Sequence, residues 1–377
     1  MQKYLDYLQD KEIYILKLIR ELVELESPTL DKVLTDYFAT TLKDIFEKYT
    51  GGKAEIIDDQ QYGNHVRGHF GDGKEQILIV GHFDTVQLAG TLKSNPFKIE
   101  NGKAYGPGIY DMKSGIVQAI FALVAVKEIG TVLNKKVVCL FNSDEEIGSV
   151  SSTQLLIEEA GRSKYAFIME PSFGDQGAIK IARKGVGTYK LTVSGKSAHA
   201  GNCPEEGINA IEEICRQVLY LQGLNDYSKG ISVNCGIING GSAKNSVPDY
   251  AALTIDVRAS RLKDCEILHN HICNLKSCNP LAKLHVEGSF SRKPMEKTTE
   301  NYRLYTLARD LMTENCHLPL PEAAVGGASD GNITSALVPT LDGLGAVGSG
   351  AHSLNEQIYI SHLVPRTALL AALLEYC

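Results

Sequence analysis

The chain has 377 residues, 44% of them hydrophobic and 22% charged, with a formal net charge of -7. That length holds two domains of about 100–200 residues each, and the composition is that of an ordinary soluble globular protein. The acidic balance, with no basic cluster, argues against a nucleic-acid partner, and the polar, acidic start Met1–Leu8 lacks the basic and apolar regions of a secretory signal.

Leu, Ile and Val at helical spacing predict a helix over Tyr4–Leu25, ending near Ser27-Pro28, and a second over Thr29–Tyr49. Gln76–Val80 is a nearly unbroken apolar run, as in a strand buried on both faces. After a turn-rich stretch to Gly108, a helix is expected over Ser114–Ile129. Its longest apolar run, Ile116–Val126, is interrupted by Gln118 and falls short of the roughly 20 residues a membrane span needs. Lys136–Phe141 and Tyr165–Met169 read as two more buried strands. Strands alternating with helices predict an α/β domain with a mostly parallel sheet flanked by helices. The pattern changes near Arg183. Thr188–Val193, Ile231–Ile238 and Ala251–Val257 have period two, with a helix over Gly207–Leu221 between them, which predicts an inserted α+β domain. Helical pattern returns after about Pro294, and the chain closes with a helix over Arg366–Tyr376. The expected division is residues 1–184 and 294–377 as one domain, with 185–293 inserted. The nine cysteines form no CxxC pair and read as reduced, mostly buried thiols of a cytoplasmic protein.

Chemistry collects at the strand ends, where open α/β sheets gather ligands. Gly81-His82-Phe83-Asp84 follows the first buried strand. In extended chain His82 and Asp84 point the same way, as when a carboxylate fixes the tautomer of a ligand histidine; alone, a structural histidine is an equal reading. Asp111 opens the Ser114 helix and alone is equally an N-cap. Asp144, Glu145 and Glu146 follow the second strand, where three adjacent acids need a cation or solvent between them. Glu170 follows the third strand, and His352 lies in a Gly-rich stretch near the end. Together, two histidines and several carboxylates suit a borderline cation, zinc first, with cobalt or manganese as substitutes.

In order along the chain, GHFDTV, YGPGIYDMKSG, NSDEEIGS, MEPS, ARKG, SGKSAHAG, GGSAKNSVP, DVR, GGASDGN and GAHS resemble the M20 metallopeptidase family, most like its glutamate carboxypeptidase branch. The resemblance implies two divalent ions bridged by Asp111, one also held by His82 and Glu170, the other by Glu146 and His352. It implies Glu145 as general acid and base, Asp84 orienting His82, and a cis peptide after Asp111. The insert would be a dimerisation or lid domain, giving a homodimer, with His199 stabilising an oxyanion. Asn245 and Arg258 would hold a substrate carboxylate, and Lys184, Gly327 and Ser329 would line the substrate. A local ion pair for Arg258 and a solvated Lys184 remain the plain alternatives. Ser114 stands where a second glycine is the commoner residue of the family motif.

The function this implies is metal-dependent hydrolysis of an amide beside a free carboxylate, in a small peptide or N-acyl amino acid. The rival within the chemistry is an acetylornithine or succinyl-diaminopimelate type deacylase, or another N-acyl amino acid amidohydrolase. More remote are a non-catalytic scaffold and a dinuclear phosphoesterase.

Overall fold

A computed structural model describes all 377 residues, which divide into two compact units. The first comprises Met1–Ile181, Lys297–Ala324 and Ser329–Cys377; the second comprises Ala182–Glu296 with Val325–Ala328. The second is thus slightly longer at both ends than the stretch with period-two character, and it takes in the glycine pair Gly326-Gly327.

In chain order the first unit begins with α1 (Gln2–Gln9), α2 (Glu12–Glu24) and α3 (Lys32–Thr50). One helix was expected over Tyr4–Leu25, but it is broken at Asp10-Lys11. The heptad spacing of Leu8 and Ile15, both buried, continues across the break and hides it from the periodicity. Two strands that the sequence does not announce follow, β1 (Lys53–Ile57) and β2 (His65–Phe70). They form an antiparallel edge whose polar residues mask their strand character. Then come β3 (Glu75–His82), α4 (Ser114–Glu128), β4 (Lys135–Asn142), α5 (Thr153–Gly161), β5 (Tyr165–Ile168) and β6 (Ile179–Arg183). After the second unit the chain returns with α6 (Thr299–Cys316), β7 (Thr340–Leu341) and α7 (Leu363–Tyr376). That last helix starts earlier than expected because Pro365 sits in its first turn, where no N–H is needed.

The main sheet runs β1-β2-β4-β3-β5-β7, with β3, β4, β5 and β7 parallel. Alternate side chains of its central strands enter two cores. Ile77, Ile79, Val137 and Phe141 join the cluster under α4 and α7, while Leu78, Val80, Val138 and Leu140 pack with Leu156 and Ala160 of α5. Each fully buried aliphatic side chain contributes about 1.5–3 kcal/mol, which is why the central runs are apolar on both faces. Helix α4 is the buried centre of this unit. The segment Ile109–Glu128 is long and apolar enough to cross a membrane by length and composition, yet 94% of its most apolar window is covered within the fold.

The register of the parallel strands sets the site. His82 lies opposite Asn142, and Val80 lies opposite both Leu140 and Ile168. Residues just beyond the three strands, Asp84, Asp144–Glu146 and Glu170, therefore leave the sheet on one edge.

The second unit is a four-stranded antiparallel sheet, ordered Ser232–Gly240, Tyr250–Ala259, Gly185–Ser194, Lys283–Arg292. Helices Ala210–Gln222 and Leu262–Cys273 cover one face, burying Tyr189, Leu191, Val193, Leu253 and Ile255. Its other face carries the alternating polar residues that gave the period-two signal.

Candidate active site

His82 ends β3 with its side chain buried. Its Nδ1 lies 3.3 Å from Asp84 Oδ1 and 3.1 Å from the Asp84 carbonyl oxygen. With Nδ1 committed to these acceptors, Nε2 is the nitrogen left to bind a cation. It lies 3.2 Å from Asp111 Oδ1 and 3.5 Å from Glu170 Oε1. His352 approaches from the far end of the sequence. Its Nε2 is 3.2 Å from Asp111 Oδ2 and 3.1 Å from Glu146 Oε2. Asp111 therefore presents one oxygen to each histidine, and each histidine also faces a second carboxylate. Glu145 belongs to the same cluster: one oxygen of it, one of Glu170 and a ring nitrogen of His82 lie within 4.8 Å of one another.

Burial disfavours a charged His82, but hydrogen bonds to Asp111, Asp84 and Glu170 push its pKa well above the ordinary value. Hydrogen bonds to Asp111 and Glu146 push His352 up to about 10. Burial works against ionised Asp111, yet the bonds to His352 and His82 outweigh it and hold its pKa far below the usual carboxylate range. Glu146 is raised by burial, against the pull of His352. Two imidazoles facing three carboxylates at these distances suit divalent cations, which would take the place of imidazole protons. Three carboxylates and two imidazoles, arranged as two sets about one shared acid, fit a pair of such ions.

Buried supports hold each piece. Asp84, fully buried, accepts from the backbone N–H of Glu145 and of Glu146, each at 3.2 Å, and from Thr29 Oγ1 at 2.9 Å. One carboxylate thus aligns His82 and the acidic turn together. Asp111 precedes α4, and the peptide joining it to Met112 is cis, as the family resemblance implies. Gly115 lets the first turn of α4 press against β5, because a Cβ there would come within 2.1 Å of the Met169 carbonyl oxygen.

Sequence reasoning missed several of these supports. Buried Glu356 accepts from the N–H groups of Gly108, Tyr110 and Asp111, all at 2.8 Å. Asp330 accepts from Asn142 Nδ2 at 2.7 Å and from Ser149 Oγ, bracing the acidic turn from behind. His65, buried, accepts the Ser143 N–H at Nδ1 and meets Ser151 Oγ at Nε2. The only sequence signal for these was an acid or histidine in a stretch of turn residues.

The remaining expected residues fall into three groups. Ser329 is fully buried; its hydroxyl donates to Asp342 at 2.7 Å and its N–H to Asn332 Oδ1. It braces the inside of its loop. In the second unit His199 and Asn245 come together: His199 pairs with Ser246, and the Ala200 N–H donates to the Asn245 carbonyl. His199 Nδ1 accepts from the N–H groups of Gly201 and Asn202, both at 3.1 Å, so its neutral ring carries hydrogen on Nε2. Lys184, Arg258 and Gly327 gather about the segment Val325–Ala328. The Lys184 N–H donates to the Val325 carbonyl, and Arg258 Nη1 to the Gly326 carbonyl at 2.8 Å, while Arg258 Nε is held by Asp256 at 3.0 Å.

Comparison with known proteins agrees with this geometry. The chain is 28% identical to carboxypeptidase G2 of Pseudomonas sp. (strain RS-16), over 96% of this chain and 89% of that protein. It is 28% identical to acetylornithine deacetylase of Proteus mirabilis (strain HI4320), over 81% of this chain and 80% of that protein. Its fold matches a tripeptidase of Staphylococcus aureus at a TM-score of 0.79 and 20% identity, over 97% of this chain and 98% of the other. A profile described as Peptidase family M20/M25/M40 matches residues 78–376, most of the chain, and the chain belongs to that family.

Proposed function

We propose that this protein is a two-cation amidohydrolase that cuts an amide beside a free carboxylate, with a C-terminal acidic residue as the preferred leaving part. The observation that carries the reading is Asp111 shared between His82 and His352, each Nε2 at 3.2 Å from a different oxygen. His82 and Glu170 would hold one ion, Glu146 and His352 the other, with Asp111 between them; zinc suits the donors best. When bound, such a pair supplies Lewis acidity toward a carbonyl and toward a water. Glu145, fixed by the hold of Asp84 on its N–H, takes a proton from the attacking water and returns it to the departing nitrogen. Asp84 keeps His82 in the tautomer that leaves Nε2 available.

In this reading the inserted unit acts as a lid and dimerisation unit of a cytoplasmic homodimer. His199 donates Nε2–H to the developing oxyanion. Asn245 and Arg258 hold the substrate carboxylate, Arg258 through the N–H groups left over from its bonds to Asp256 and Gly326. Lys184 and the Gly327 backbone lie with Arg258. The fuller overlap with carboxypeptidase G2 favours a peptidase-like substrate; the similarity to a deacetylase favours acylated diamino acids as the second reading.

The test is a hydrolysis screen of zinc-replete protein against N-acyl and folate-like glutamates, dipeptides, acetylornithine and succinyl-diaminopimelate. Release of glutamate, reduced at least about 100-fold in Glu145→Gln with both ions retained, is the expected outcome. Turnover of the acylated diamino acids alone would replace the substrate assignment. A wild-type protein that binds no more than one ion would overturn the two-cation reading.

A further inference from the structure

Lys180 lies on β6 between Ile179 and Ile181, all three buried, and no motif of the family resemblance includes it. Its Nζ stands 3.6 Å from Glu170 Oε2, while the other oxygen of Glu170, Oε1, faces His82 Nε2 at 3.5 Å. The two oxygens of Glu170 are thus turned to opposite partners. The stem of Lys180 is held in place as well. Its backbone N–H donates to the Asp342 carbonyl at 2.9 Å, and its Cγ runs so close to Gly343 that a Cβ on that glycine would come within 3.2 Å.

We propose that Lys180 is a positioning residue that restricts Glu170 to one oxygen toward the cation pair and withholds part of its negative charge from it. This rests on the two-cation reading above. A carboxylate engaged by an ammonium at one oxygen cannot close both oxygens on a single ion. Its residual charge is also partly neutralised, which weakens its grip on a cation and leaves that cation a stronger Lewis acid. Lys180 therefore trades affinity for reactivity. A lysine that only neutralises a buried acid would, on its loss, destabilise the metal-free fold and leave the kcat of the loaded protein unchanged.

The experiment compares the wild-type protein with Lys180→Met and Lys180→Arg, titrating zinc against a fluorescent chelator of known affinity. A charge lost this close to a ligand is expected to tighten binding of one of the two ions by about tenfold. The kcat is expected to fall by a similar factor, and the acidic limb of the kcat/KM profile to move to higher pH. Lys180→Arg should restore all three toward wild type. Unchanged or weaker zinc binding in Lys180→Met, in protein that binds two ions when wild type, would overturn the proposal. Should Lys180→Met melt well below wild type without metal, Lys180→Gln is read by the same criteria. If the wild-type protein itself binds fewer than two ions, the two-cation reading fails first, and the two failures are told apart.

Discussion

Asp84→Asn changes one atom and tests how the site is held together. Four groups converge on the buried Asp84 carboxylate: the N–H groups of Glu145 and Glu146, Thr29 Oγ1, and His82 Nδ1. All four can donate, whereas asparagine offers one acceptor oxygen and one NH2 donor. Placed at Oδ1, the NH2 would oppose both the Glu145 N–H and His82 Nδ1. It would force His82 into the tautomer that puts hydrogen on Nε2 and spoils that nitrogen as a ligand. Placed at Oδ2, it would meet Thr29, whose hydroxyl can turn to accept, and the Glu146 N–H, which would be left unsatisfied. The second orientation costs less, at one buried unpaired amide, or about 1–3 kcal/mol. Loss of the charge behind His82 should weaken binding of its cation by about 10–100-fold. Urea unfolding of metal-free protein measures the first quantity, and chelator competition the second. A variant within about 0.5 kcal/mol of wild type that binds zinc equally well would refute this account of Asp84.

Glu356→Ala would strand the N–H groups of Gly108, Tyr110 and Asp111. The expected cost is about 3 kcal/mol or more of stability, at about 1–3 kcal/mol for each buried amide left unpaired, together with weaker zinc binding; unfolding curves and zinc titration check both. His65 supplies a pH test on metal-free protein. Burial holds its pKa below the ordinary histidine value, against the pull of Asp144, Asp59, Asp84 and Asp330. The unfolded chain therefore takes up a proton below about pH 6.5 while the folded one resists, so stability is full above that pH and falls as pH drops toward the folded pKa. His65→Gln keeps an acceptor for Ser143 and a donor for Ser151 and should flatten that acid slope; an unchanged slope would exclude His65 as its source.

The strand ends were legible because a parallel sheet makes them so. Once β3, β4 and β5 are read as buried apolar runs, their register alone brings His82, Glu145, Glu146 and Glu170 to one edge. Asp111 and His352 were harder. Each sits in a loop whose path is fixed by contacts distant in sequence, such as Glu356 reaching back 245 residues to the Asp111 N–H. No local pattern encodes such a reach. Ser329 is similar: its hydroxyl serves Asp342, thirteen residues on, a bond that its place in GGASDGN does not announce. The strands β1 and β2 are hard to read because their short runs, KAEII and HVRGHF, mix polar and apolar residues without a clean alternation, β1 at the sheet edge and β2 between β1 and β4.

The order in which the pieces occur along the chain bears on how the protein is made. His82, Asp111, Glu146 and Glu170 all precede the inserted unit, which is nearly continuous in sequence. His352, the bracing Asp330 and helix α7 come only after it. A nascent chain can complete the inserted unit while the other still exposes the apolar face of its sheet and lacks His352, one of the five residues that converge on the acidic nest. The first unit matures last although it begins first, so a chain that stalls anywhere before residue 352 presents an unclosed core and an open acidic nest.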